Sequence, residues 1–235
     1  MQNQYDDSIA NLRESIFSKS IFNLVHERFL EHVGKTKSSG RILDIGTGNG
    51  YILREIQKRY PDKYQLIGVD NSAEMLAKAK SLGGCIDYKL ADNYHLPFNE
   101  DYFATITAKN VTRFSEEEIA RVLQTRGLFV FREYGEGKGL IEIANLFQDR
   151  LIRSRNPNYY VTKLNKAGFD NISLEQFTLQ RQYALDELLK IVQMFPFIED
   201  LNDSDLEKIR EFYDGKEFVK ITSDPFILTA RMKQK

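Results

Sequence analysis

R-I-L-D-I-G-T-G-N-G occupies residues 41–50 and joins a short apolar run to three glycines at alternate positions. The apolar run predicts a buried strand, and the residues after the glycines have apolar side chains at helical spacing. A second apolar run, residues 65–69, predicts the next strand and ends at Asp70. This order of strand, glycine turn, helix, strand and acid predicts the first unit of a mostly parallel sheet.

The glycine turn and Asp70 together predict a site for a cofactor that contains adenosine. Glycines allow positive φ and a close approach of a ligand to the backbone. An acid about twenty residues later can accept two hydrogen bonds from ribose hydroxyls. The dinucleotide fingerprint has a third glycine where this chain has Tyr51. Asp44, just before the turn, would repel a pyrophosphate and attract an ammonium or a sulfonium, so a sulfonium nucleoside is favoured over NAD.

These residues resemble a known family. L-D-I-G-T-G-N-G (43–50) with G-V-D-N-S (68–72) is similar to the first two motifs of the class I S-adenosylmethionine-dependent methyltransferases. Residues 91–98 (A-D-N-Y-H-L-P-F) and 122–130 resemble two later segments of that family. The resemblance implies a Rossmann-like α/β fold with a seven-stranded, mostly parallel sheet and helices on both faces. It also implies S-adenosyl-L-methionine as the cofactor.

The resemblance further implies roles at the cofactor site. Asp44 would receive the ammonium of the methionine moiety, Asp70 would hold the ribose hydroxyls, and Asp92 would accept a hydrogen bond from the adenine amine. Turn formation by Asp92, and ordinary packing of Asn71 and Met75, remain open alternatives. The implied cofactor residues are Asp44, Gly46, Thr47, Gly48, Gly50, Asp70, Asn71, Met75, Asp92, Asn93 and Asn110.

The domain organisation follows from the helical and strand patterns on either side of the motifs. Apolar residues at helical spacing predict that residues 1–39 form an N-terminal helical segment, which the resemblance places over the site. Residues 40–235 would form the methyltransferase domain. Its sixth and seventh strands are predicted at 172–181 and 225–231, and two helical patterns between them predict a helical cap inserted at 182–224.

The segment after the predicted fifth strand has an unusual composition. It reads G-E-G-K-G over residues 135–139, which predicts a mobile turn. Apolar spacing then predicts a helix over 140–154.

Candidate substrate residues lie in the N-terminal segment, at the fifth strand and in the predicted cap. A solvated basic face is the simpler explanation of the arginines, and a pocket for an anionic acceptor group such as a carboxylate is the sharper alternative. Packing of the cap is likewise an alternative for its apolar side chains. The candidates are Tyr5, Phe17, Arg132, Tyr134, Arg155 and Met194.

The predicted function is methyl transfer to oxygen, nitrogen or carbon of a small molecule, with secondary metabolism as one expected setting. The alternatives are methylation of a peptide or protein side chain, and a non-catalytic S-adenosylmethionine-binding partner subunit. A sulfonium is already an activated leaving group, so a general base is needed only when the acceptor loses a proton early. His95, Glu133 and Tyr134 are candidates by position only, and the catalytic residues are left unassigned. No metal site is predicted.

The composition limits the partners. Lys and Arg total 33 against 34 Asp and Glu, so no overall basic field attracts nucleic acid. Cys85 is the only cysteine, which favours the cytoplasm. No apolar run approaches about 18 residues, so no membrane segment is predicted. We expect a monomer or homodimer that acts on a small molecule or short peptide.

Overall fold

The computed structural model describes residues 24–36, 39–111, 113–152, 156–195 and 197–234. The helices are α1 (Leu24–Gly34), α2 (Tyr51–Arg59), α3 (Ala73–Ser81), α4 (Glu116–Val122), α5 (Ile141–Leu146), α6 (Pro157–Lys166), α7 (Leu185–Met194) and α8 (Asp203–Phe212), with a short 3-10 turn at Gln148–Arg150. The strands are β1 (Arg41–Ile45), β2 (Gln65–Asp70), β3 (Ile86–Leu90), β4 (Phe103–Lys109), β5 (Leu123–Tyr134), β6 (Phe169–Gln176), β7 (Leu179–Ala184), β8 (Phe218–Ser223) and β9 (Pro225–Met232).

A seven-stranded sheet forms the framework, with the strand order β3-β2-β1-β4-β5-β9-β6. The pairs β1–β2, β1–β4, β2–β3 and β4–β5 are all parallel. The first five strands therefore end at the same edge of the sheet, which is where such folds bind ligands. The predicted fold class, a mostly parallel Rossmann-like sheet with flanking helices, is confirmed.

The sequence forms these elements because their apolar residues recur with the right period. β4 is buried at every position from Phe103 to Ala108, as a central parallel strand should be. α2 buries one apolar face and has Gly50 directly before it. An aromatic cluster includes Phe131 of β5, whose ring centroid lies 4.7 Å from that of Tyr160 and 5.3 Å from that of Phe114.

α1 is joined to the edge strand β6 by one carboxylate. Arg28 Nε donates to Glu175 Oε2 at 2.8 Å, and His32 Nε2 lies 2.6 Å from Glu175 Oε1. The bond from Arg28 lowers the pKa of Glu175, whereas burial lowers the pKa of His32. These contacts fix the register of α1 on the sheet, which also places His26 near the glycine turn.

The predicted sixth strand, residues 172–181, is wrong in extent. β6 ends at Gln176, and β7 begins at Leu179 and pairs antiparallel with β8 in a separate two-stranded sheet. Between the two strands, the Phe177 N–H donates to the Pro225 carbonyl at 2.9 Å. Within residues 172–181, the apolar residues lie at even positions before Phe177 and at odd positions from Phe177 onward. This change in the alternation indicates a break between two strands.

The two helices predicted inside the insertion match α7 and α8. α8 begins with a capping box, in which Asn202 and Asp205 bond to each other's backbone N–H groups. The helix predicted over 140–154 is too long, since α5 ends at Leu146. The apolar residues that extended the pattern pair elsewhere, because Ile152 donates its N–H to the Phe197 carbonyl at 2.9 Å.

The described residues fall into two compact units. The first contains the residues up to Glu133 together with Asn158–Glu175 and the chain from Ile227 onward, and the second contains Tyr134–Pro157 and Gln176–Phe226. The boundaries at 39 and 40, and the cap at 182–224, stay predictions. Tyr5, Phe17 and Arg155 lie outside the described residues.

None of the helices within the described ranges is long and apolar enough to cross a membrane.

Candidate cofactor site

The turn between β1 and α2 requires glycine at three positions. Gly46, Gly48 and Gly50 have φ of 61°, 55° and 76°, which is the left-handed region. A Cβ on Gly46 would lie 2.5 Å from Val111 Cγ2, and one on Gly50 would lie 2.1 Å from Tyr88 Oη. Tyr88 and Val111 therefore pack against the backbone of this turn. The turn has the geometry that allows close approach of a ligand.

Asp70 joins the end of β2 to the glycine turn. The Gly48 N–H donates to Asp70 Oδ2 at 2.8 Å, and the Ser72 N–H donates to Asp70 Oδ1 at 2.9 Å. An ionised carboxylate offers about four acceptor positions, so these two bonds leave capacity for further donors. Asp70 therefore holds the loop that follows β1 and remains able to accept hydrogen bonds from vicinal hydroxyls.

Asp44 is a buried acid beneath the turn, with 2% of its surface exposed. Burial raises its pKa to about 6. A hydrogen bond from Thr107 Oγ1 to Asp44 Oδ1, 2.7 Å long, and the charge of Lys109 act in the opposite direction. Thr107 was missed from the sequence, although a threonine in an otherwise apolar central strand is a signal for a buried polar partner. A cation at this position would favour the ionised form.

The ionisation of Asp44 is expected to make the stability of the ligand-free protein pH-dependent. The pKa of Asp44 is about 6 in the folded protein, against an ordinary value of 3.8 for the unfolded chain. The folded chain therefore holds the proton more tightly. The stabilisation that the protonated Asp44 carboxyl gives to the folded state is present at low pH and is lost as the pH rises through about 6. We expect the free energy of unfolding to lose about 2 kcal/mol from this group between about pH 4 and about pH 6.

Urea unfolding of the wild type and Asp44→Asn over this pH range measures the effect. Asparagine keeps the acceptor for Thr107 and cannot ionise, so the difference in unfolding free energy between the two proteins should change with pH by that amount. The Asp87→Asn substitution, at an exposed position, is the matched control for replacing a carboxylate by an amide. A constant difference for Asp44→Asn would contradict the elevated pKa.

Met75, Asn71 and Thr47 surround the turn in different ways. A Cβ on Gly48 would lie 3.3 Å from Met75 Cε, so this half-buried thioether side chain packs against the turn. Thr47 is buried and donates its N–H to the Val69 carbonyl at 2.9 Å. Asn71 is exposed. Contact with an adenine ring stays a prediction for Asn71 and Met75.

Asp92 and Asn93 follow β3 and lie close to the end of β2 along the backbone. The Ala91 N–H donates to the Asp70 carbonyl at 3.0 Å, and Asp92 is the next residue. Asp92 is exposed, and its Oδ1 accepts a 3.0 Å bond from the Tyr94 N–H within its own turn. Asn93 donates from Nδ2 to the Arg113 carbonyl at 3.3 Å. Both residues therefore help to shape a turn, and their role toward adenine stays a prediction.

Asn110 and Arg132 meet at the tips of β4 and β5. Asn110 has φ of 57° and donates its N–H to the Arg132 carbonyl at 2.9 Å. The Arg132 guanidinium, buried with 3% exposure, donates in return to Asn110 Oδ1. Val111, the next residue, contacts Gly46, so this pair borders the glycine turn. Asn110 is thus an ordered part of the sheet edge.

Two further side chains approach the start of α2, and the sequence did not predict them. The His26 ring centroid lies 5.5 Å from that of Tyr51, and Lys109 Nζ lies 5.1 Å from the same ring. Burial, together with the charge of Lys109, lowers the pKa of His26 to about 4. His26 is therefore neutral at pH 7. No local pattern indicates this contact, because it joins α1 to residues much later in the chain.

The remaining substrate candidates belong to the second unit. Tyr134 ends β5 and contacts Gly139, since a Cβ on Gly139 would lie 2.6 Å from Tyr134 Cε1. Met194 is the last residue of α7 and is half-buried. Their role toward an acceptor stays a prediction.

Comparisons with known proteins agree with this geometry. A family model described as a methyltransferase domain matches residues 42–127. A ubiquinone/menaquinone biosynthesis C-methyltransferase of Geotalea daltonii is 34% identical over 119 residues, which cover 46% of this chain and 51% of that protein. The chain therefore matches about half the length of that relative. A carboxy-S-adenosyl-L-methionine synthase of Nitratiruptor sp. is 23% identical over 221 residues, 84% of this chain and 87% of that protein.

A solved structure with a similar backbone is that of Haemonchus contortus phosphoethanolamine N-methyltransferase 2 in complex with S-adenosyl-L-methionine. Its TM-score is 0.65 at 21% identity, and the match covers 99% of this chain and 59% of that one. At this identity the likeness concerns the fold alone.

Proposed function

Because the chain belongs to the class I S-adenosylmethionine-dependent methyltransferases, we propose that it transfers a methyl group from S-adenosylmethionine to an oxygen, nitrogen or carbon atom of a small molecule. The observation that carries the proposal is the Asp70 carboxylate, which holds the Gly48 N–H and keeps acceptor capacity at the end of β2. An acid in this position suits the ribose of an adenosine cofactor.

The residues of the site fit a sulfonium nucleoside. The left-handed glycines leave the turn without side chains, as at Gly46, where any Cβ would meet Val111. Asp44 lies beneath that turn and would be ionised when an ammonium group is near. Asp70 would hold the ribose hydroxyls, and Met75 offers an adaptable apolar surface to a purine. A pyrophosphate at the turn would meet unfavourable charge at Asp44.

The chain's own contribution to the reaction would be binding, orientation and exclusion of water. When bound, the cofactor supplies an activated methyl group. Holding donor and acceptor in line can contribute about 7–11 kcal/mol to lowering the barrier. No general base is assigned, because a carboxylate or neutral amine acceptor requires none. Arg132, Tyr134 and Met194 are the proposed acceptor residues among those described.

One relative supports a small acceptor. The matched protein of Geotalea daltonii is named for C-methylation in ubiquinone/menaquinone biosynthesis. Methylation of a peptide side chain, or support of another subunit without catalysis, are alternatives that the same cofactor site permits.

A second candidate function is modification of the cofactor itself. It is favoured by the match to a carboxy-S-adenosyl-L-methionine synthase, which covers 84% of this chain. In that case the methyl group would stay on the nucleoside.

The test is incubation of the purified protein with methyl-labelled S-adenosylmethionine and separate small-molecule and protein fractions of a cell extract. We expect label on a compound of the small-molecule fraction. Label on polypeptide would favour the peptide alternative, and label retained on a new nucleoside would favour cofactor modification. Binding of the donor without transfer in any fraction would favour the partner-subunit alternative. The Asp70→Ala protein is the control for background transfer.

A further inference from the structure

The turn after β5 donates three backbone N–H groups to one residue. The N–H groups of Gly137 and Gly139 donate to Asp224 Oδ2 and Oδ1, each at 2.8 Å. The Gly135 N–H donates to the Asp224 backbone carbonyl at 2.9 Å. The glycine-rich turn that the sequence predicts to be mobile is therefore held by a residue almost ninety positions later, and all of these atoms belong to the second unit.

The alternation of glycines is required by this contact. A Cβ on Gly135 would lie 2.7 Å from Asp224 Oδ2, and one on Gly137 would lie 3.0 Å from the same oxygen. Gly139 has φ of 79°, and the preceding Lys138 also lies in the left-handed region at 56°. Side chains at the three glycine positions would clash with the carboxylate or strain the backbone.

Backbone N–H groups that converge from such a turn form a concavity that binds anions. We propose that residues 135–139 are an anion-binding nest, that the Asp224 carboxylate is its occupant, and that this occupancy positions Tyr134. The first two parts concern the turn alone. The third part rests on the proposed function, in which Tyr134 contacts the acceptor.

The link to Tyr134 is direct. Gly139 packs against the Tyr134 ring so closely that a Cβ there would lie 2.6 Å from Cε1. The Gly139 N–H is also one of the two that the Asp224 carboxylate holds. Loss of the carboxylate would therefore release Gly139, which packs against one side of the Tyr134 ring. Asp224 is a positioning residue, since it acts on Tyr134 through the turn.

Hydrogen exchange with acetate as the probe tests the nest. In Asp224→Ala the amides of Gly137 and Gly139 should exchange at least about tenfold faster than in the wild type, because each loses a bond to a charged acceptor. Sodium acetate should restore much of the protection by entering the emptied nest, whereas sodium chloride at equal ionic strength should not. Tryptic cleavage after Lys138 should likewise be faster in Asp224→Ala than in the wild type, and sodium acetate, but not sodium chloride, should slow it.

Glu142→Ala is the matched control. Glu142 also uses its carboxylate to hold backbone in the second unit, accepting from the Thr222 N–H at 2.8 Å and from Thr222 Oγ1 at 2.6 Å. In Glu142→Ala, acetate should not change the exchange rates of the Gly137 and Gly139 amides. Asp224→Asn, which keeps the shape and one acceptor oxygen, should show intermediate protection and serves if the alanine variant does not fold.

Unchanged exchange in both Asp224 variants would overturn the nest. Faster exchange that acetate does not slow would also overturn it, because Asp224 would then be a simple structural tie. For the third part, Asp224→Asn should raise KM for the methyl acceptor and leave the affinity for S-adenosylmethionine unchanged. Equal acceptor KM in the variant and wild type would overturn that part. Failure of methyl transfer itself would leave the exchange result standing, so the two outcomes are distinguishable.

Discussion

Asp70→Ala is expected to weaken the binding of S-adenosylmethionine by at least about 100-fold. Two ribose hydroxyls donating to an ionised carboxylate would contribute about 3 kcal/mol or more, since hydrogen bonds to charged groups are worth about 1.5–3 kcal/mol each. The variant also loses the acceptor for the Gly48 N–H, so the glycine turn would be less well ordered before the cofactor binds. Isothermal titration calorimetry measures the change.

Two variants separate these contributions. Asp70→Asn keeps one acceptor oxygen and the side-chain shape, so it should lose less affinity than the alanine variant. Asp87→Ala removes an exposed carboxylate from the neighbouring strand, where Lys89 Nζ is 4.0 Å away, and should leave affinity within about twofold of the wild type. Equal affinities of the wild type and Asp70→Ala would show that the donor is bound elsewhere.

Gly50→Ala is expected to lower the free energy of unfolding by about 2–5 kcal/mol. The left-handed backbone, with φ of 76°, costs a non-glycine residue about 1–2 kcal/mol. The new Cβ would lie 2.1 Å from Tyr88 Oη and 2.8 Å from Tyr88 Cζ. Since Tyr88 is only 7% exposed, its ring cannot move freely, and overpacking of this kind costs about 1–3 kcal/mol. Urea unfolding followed by circular dichroism gives the difference.

Gly83→Ala is a close control for the backbone term. Gly83 has the same φ of 76°, but a Cβ there would meet nothing within 4 Å. Gly83→Ala should therefore lower the free energy of unfolding by only about 1–2 kcal/mol. Adding Tyr88→Phe to Gly50→Ala removes the nearest atom and should recover part of the lost stability. If Gly50→Ala and Gly83→Ala were equally destabilising, the close packing of Tyr88 under the turn would be wrong.

The sequence predicted the framework because its signals are local. The strand before Gly46, the helix after Gly50 and the acid at Asp70 lie within 30 residues and each follows a known period or turn chemistry. The burial of Asp44 also follows from its place in an apolar run. The helices of the insertion were predictable for the same reason, since their apolar faces repeat without interruption.

Contacts between distant segments were beyond prediction. Thr107 meets Asp44 only because β4 pairs with β1, and the register of that pairing is not written in either strand. Asp224 fills the turn at 135–139 across more than 80 residues. The division of the predicted sixth strand left a trace in the phase of the apolar residues around Phe177, but the pairing of β7 with β8 did not. Such contacts depend on the three-dimensional arrangement rather than on any short pattern.

The central claim is that the crevice at the ends of β1 and β2 binds a sulfonium nucleoside. Calorimetric titration of the wild-type protein with S-adenosylmethionine and, separately, with NAD tests it most directly. We expect one S-adenosylmethionine to bind per chain and NAD to give no saturable heat, because Asp44 next to the glycine turn favours a cationic ligand over a pyrophosphate. Saturable binding of NAD with no response to S-adenosylmethionine would contradict the claim.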